Sequence, residues 1–159
     1  MTLNDLASIS TIVQTVLVVV SLVFIWYQLR DSTRLAKAAN AQSLAEQAAS
    51  FNALLYQDRE LAELWIGGGW KLESMDEISK FRYREMLTQW LIFHENIFYQ
   101  RKKRLLDLET YNAWNEDLKL TIKHHNLDVV SSNVENVFPG DFGNYLIQLK
   151  NQWHKVTQE

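Results

Sequence analysis

The chain has 159 residues, no cysteine, and sixteen Lys or Arg against nineteen Asp or Glu, for a net charge of −3. Missing thiols exclude disulfide staples, thiolate zinc sites and a cysteine nucleophile. The slight acidic excess argues against a nucleic-acid-binding domain, which depends on a strong positive field.

Six Trp, six Tyr and seven Phe beside one Pro and five Gly predict packed helices rather than disorder. The first element is apolar: residues 6–29 carry no charge, and 15–26 read Thr-Val-Leu-Val-Val-Val-Ser-Leu-Val-Phe-Ile-Trp. As a helix this run spans about 36 Å, enough for a hydrocarbon core of roughly 30 Å. Trp26 and Tyr27 close it at the depth that amphipathic rings prefer, and Arg30, Arg34 and Lys37 follow. Asp5 is the only charged side chain before it, so the cation bias predicts an N-terminus outside and a cytoplasmic C-terminal domain. A cleaved signal peptide fits poorly, because the basic leader is missing and the apolar run is too long.

Within this span Ala7, Gln14, Ser21 and Gln28 recur every seven residues, with Thr11 on the same stripe. An amide in hydrocarbon needs a partner, which predicts association with another helix. The alternative is that such residues are tolerated near helix ends, where Gln28 reaches the interface.

Residues 32–56 contain neither Gly nor Pro and continue the helix as a stalk. Ala41, Leu44, Ala45, Ala48, Phe51 and Leu55 form one apolar face, read as packing against the domain; an oligomeric stalk is the other reading. Asp58 caps a short helix through Trp65, and Gly67-Gly68-Gly69 ends it by access to positive φ. No Gly-Lys-Ser/Thr follows, so a phosphate loop is not predicted.

Ser74 with Glu77 reads as a capping box opening a helix to Tyr99. Its second half is apolar nearly all round, which predicts the centre of a bundle. Residues 107–124 and 142–153 read as two further helices, the last following the break at Pro139-Gly140, and 126–138 are ambiguous. A stalk of about 25 residues rises about 38 Å, and an antiparallel helix from Asp76 descends by as much, returning Arg101, Lys102, Lys103 and Arg104 towards lipid headgroups. The competing reading is a solvated turn whose cations complement the helix dipole.

Chemistry is sparse. His94-Glu95 lacks the second His of a zinc helix, whose place Phe98 takes, and the adjacent His124 and His125 point to different sides of a helix. Glu95, with Leu91, Ile92, Phe98 and Tyr99 as helical neighbours, is expected with Asn96 as a buried polar anchor. No catalytic residue, cofactor or metal is predicted.

The pieces Tyr27-Gln28-Leu29-Arg30, Asp58-x-Glu60-Leu61-Ala62-x-Leu64, Glu95-Asn96-x-Phe98-Tyr99-Gln100 and Leu105-Leu106-Asp107 leading to Trp114 resemble a family of uncharacterised bacterial membrane-anchored proteins. In that family one N-terminal span ends in Tyr-Gln-Leu/Ile-Arg and a helical domain follows. The resemblance implies architecture and a bacterial inner membrane, and no activity. The fold expected is therefore all-α: a transmembrane anchor over 1–30, then a stalk helix and small cytoplasmic bundle over 31–159. The expected function is a non-enzymatic interaction protein whose partners are the bilayer and either itself or other membrane-complex subunits, with no nucleic acid. A homo-oligomeric channel lined by the polar stripe, and a ligand sensor or enzyme using Glu95, are the alternatives.

Overall fold

A computed structural model describes residues 3–131 and 134–156, with side chains over 10–131 and 134–152. The fold is all-α: among the described residues there are six α-helices and no strand. No Gly or Pro precedes Gly67, and α1 runs unbroken over Leu3–Gln57. Asp58 turns extended, φ −124°, and its carboxylate accepts the Glu60 and Leu61 N–H groups to start α2, Arg59–Gly67. Then come α3 (Glu77–Lys102), α4 (Leu108–His124), the short α5 (Val134–Val137) and α6 (Asp141–Val156). Single 3-10 turns fall at Leu72–Ser74 and Leu127–Val129.

The chain divides into two compact units, Met1–Ala39 and Asn40–Glu159. Among its described residues the first is helix alone. It is long and apolar enough to cross a membrane, and none of its apolar window is buried.

In the second unit α3 is shared by two cores. Tyr83, Leu87 and Leu91 face Leu118 and Ile122 of α4 and Phe142, Leu146 and Leu149 of α6. Trp90, Phe93 and Ile97 face Leu44, Ala48 and Phe51 of α1. Two apolar faces on one helix account for its nearly continuous apolar second half. The α1 and α3 segments run antiparallel, since Asn40 donates to the Leu105 carbonyl at 3.3 Å while Phe51 and Trp90 stack rings 4.6 Å apart. The apolar face of α1 thus packs on its own domain, except Ala45, which is exposed.

Two local expectations are corrected. The N-cap of α3 is Asp76, which accepts the Ser79 N–H at 2.7 Å. Ser74 sits in the preceding 3-10 turn and donates to the Lys71 carbonyl, because the chain becomes extended only at Met75 and Asp76. The glycine run does end α2, but Gly68 has φ −61°, an ordinary helical value. Its lack of a side chain serves close approach instead, since a Cβ there would lie 1.9 Å from the Tyr83 ring. Positive φ is used at Gly140, φ 83°, in the break before α6.

Candidate functional site

In the first unit Thr11, Gln14, Ser21 and Gln28 are all exposed, and the side chain of Ala7 lies outside the described residues. Ser21 donates to the Leu17 carbonyl at 2.8 Å, so its hydroxyl is satisfied within its own helix. At the end of the apolar run the Arg30 guanidinium lies 5.7 Å from the Trp26 ring. Tyr27 and Arg34 are exposed, and Lys37 is half-buried.

The second unit gathers polar groups between α3 and α4 in a way the sequence reading missed. His94, only 2% exposed, places Nε2 3.1 Å from a carboxylate oxygen of Asp117. Trp90 donates its indole N–H to Thr121 Oγ1 at 3.2 Å, and Tyr83 Oη lies 3.0 Å from His125 Nδ1. The signal was present: Tyr83, Trp90 and His94 lie on the apolar faces of α3, seven and four residues apart. Their partners sit on another helix, and no local pattern names those.

His94, not Glu95, is the buried polar residue here. Glu95 is half-buried, and Asn96 is exposed, accepting from the Gln100 amide at 3.2 Å. The expected buried anchor at Glu95 and Asn96 is therefore corrected by one residue, because each step turns the helix by about 100° and carries Glu95 past the packed face. Desolvation still raises the Glu95 carboxyl above its ordinary pKa. His124 is exposed and His125 half-buried, so the two do point apart.

Beside these groups, between α1 and α3, lies an open groove of about 700 Å³. Its floor is Phe51, Trp90 and Phe93. Ser43, Gln47, Ser50 and Leu54 form one rim at steps of four, three and four residues; Gln89, Ile92 and Asn96 form the other. A second, smaller cleft of about 230 Å³ lies over Asp117, Thr121, His124 and His125. Among the described residues no three His, Asp or Glu gather where they could hold a metal.

No family model, curated protein or solved structure matches this chain.

The basic tract at the end of α3 is not uniform. Arg101 is half-buried and donates to the Leu106 carbonyl at 3.4 Å, and Lys102 pairs with Asp141. Lys103 and Arg104 are exposed.

The Tyr83–His125 pair has a chemical consequence. Burial lowers His125 to about 4, with His124 nearby adding to the effect, and raises Tyr83 to about 12. Both shifts hold the pair neutral, joined by one hydrogen bond between the Tyr hydroxyl and Nδ1. Trp65 covers the imidazole, ring centroids 4.3 Å apart. So weak a base is poorly matched to acid–base work near neutral pH. It does tie stability to pH: between about 6.5 and about 4 the unfolded His binds a proton that the folded one rejects, so stability is full above the window and falls through it. Allowing for partial solvent screening, the loss expected on acidifying from pH 7 to 4 is about 2 kcal/mol. Melting curves across that range check this, and a His125→Asn chain is expected to show a flatter slope; an unchanged slope would assign the effect to another group.

Proposed function

We propose that this protein is a single-span membrane protein that works by association rather than catalysis, assembling with itself or with other subunits of a membrane complex. The reading is carried by one observation: every large apolar residue from Ile12 to Leu29 is about half or more exposed. A continuous apolar surface of that length needs lipid or another helix to cover it. Trp26, Tyr27 and the cations Arg30, Arg34 and Lys37 at one end support an orientation with the domain in the cytoplasm. The resemblance through Tyr27-Gln28-Leu29-Arg30 supports a bacterial inner membrane.

The exposed amides of Gln14 and Gln28 support association within the span. In the domain, the α1–α3 groove supports it too, being concave, apolar at its floor and mixed at its rims, where the exposed Leu54 and Ile92 stand among Ser43, Gln47, Ser50, Gln89 and Asn96.

Native mass spectrometry of the full chain in a gentle detergent tests the reading. A defined oligomer, or a stoichiometric second subunit, is the expected result. The assembly is expected to weaken when Gln14 and Gln28 are both replaced by Leu. A lone monomer across detergents and concentrations would sink it.

A further inference from the structure

We propose that the turn from Lys103 to Leu108 is a second membrane contact, seated on the surface of a bilayer containing anionic lipid. This rests on the reading that the N-terminal helix is membrane-inserted.

The turn is built unusually. Leu105 N–H donates to the Gln100 carbonyl and Arg104 N–H to the Arg101 carbonyl, both at 2.9 Å, the bond pattern of a Schellman helix end. Such an end places one residue in the left-handed region, normally glycine; here it is Arg104, φ 61°. A charged side chain stands where none would be easier for the backbone. Strain of this kind, kept in place by its surroundings, points to a use for the side chain.

The surroundings hold it firmly. Asn40 clamps the Leu105 carbonyl, and Leu106 is fully buried in the core beneath. Between these fixings the turn displays Leu105 and Leu108 outward, 42% and 55% exposed, beside the exposed Lys103 and Arg104. Leu105, directly after the two cations, matches a headgroup layer, its aliphatic chain entering the acyl boundary while the cations stay at phosphate depth. Leu108 stands between Asp107, whose carboxylate is held by the Thr110 N–H and hydroxyl, and the exposed Glu109. A soluble anion would engage the cations and leave the leucines wet.

The absence of native cysteine makes the test direct. A Leu108→Cys chain carries one thiol for an environment-sensitive fluorophore, and the full chain is placed in nanodiscs of phosphatidylcholine with or without phosphatidylglycerol. With the anionic lipid the emission is expected to shift to the blue and quenching by aqueous iodide to fall by at least half. The same label at Tyr56→Cys, at the far end of α1, is expected to stay wet in both. Adding Lys103→Gln and Arg104→Gln to the Leu108→Cys chain is expected to abolish the lipid dependence.

Equal quenching in both lipids, from a chain that resists alkaline carbonate extraction, overturns the contact while leaving the span intact. Extraction by carbonate overturns the membrane reading and this contact together. A blue shift produced by inorganic phosphate alone overturns it in favour of a soluble-anion site.

Discussion

Replacing Trp90 with Ala is expected to destabilise the domain by about 4 kcal/mol, within the range for deleting a large buried aromatic side chain. The ring is 7% exposed and has partners on α1, α2, α4 and its own helix α3. Its centroid lies 4.6 Å from Phe51 on α1, 6.5 Å from Trp65 on α2 and 5.0 Å from Phe93 on α3 itself. Its N–H also satisfies Thr121 of α4, which is buried. A domain of this size is stable by only about 5–15 kcal/mol, so the variant keeps a small margin. Trp90→Phe retains most of the stacking and loses the hydrogen bond, for an expected cost of about 1–2 kcal/mol. Urea titration of the full chain in mild detergent, followed by near-ultraviolet circular dichroism, measures both. A loss below about 1 kcal/mol for the Ala variant would mean that this ring does not hold α1 to α3.

The second large effect concerns a residue without a side chain. At Gly68 the backbone is helical, where Ala is ordinarily better than Gly by up to about 1 kcal/mol. Local propensity alone therefore predicts that Gly68→Ala stabilises. The packed structure predicts the reverse, because the new methyl would lie 1.9, 2.2 and 2.3 Å from three carbons of the Tyr83 ring. Tyr83 is fully buried and tied to His125, so it cannot step aside without breaking that pair. We expect a loss of about 3 kcal/mol, at the upper end of ordinary overpacking. Shrinking the neighbour isolates the cause: in a Tyr83→Leu background the same change should cost less, with a coupling of about 1–2 kcal/mol. A stabilising Gly68→Ala would refute the close approach.

Much of the fold was legible in the residues. The uncharged stretch, the helix through the stalk, the cap at Asp58, the break at Pro139-Gly140 and the central place of α3 each follow from periodicity or from one residue with a narrow backbone role. The start of α3 was less legible, since Ser74 and Glu77 have the spacing of a capping box, and the path of the preceding turn puts the cap at Asp76 instead. The polar core was less legible again. Adjacent positions such as His94 and Glu95 differ by about 100° around the helix, and which of them is buried depends on the exact angle at which α4 crosses.

What the sequence determined by itself is the kind of element and its apolar face, because these depend on contacts within a few residues of chain. Tertiary structure alone decided which faces meet: the sharing of α3 between two cores, the pairing of His94 with Asp117 and Tyr83 with His125, the need for bare backbone at Gly68, and the outward turn of Arg104. Those outcomes depend on atoms from segments many residues apart, brought within a few ångströms by packing, and no local spacing encodes that distance.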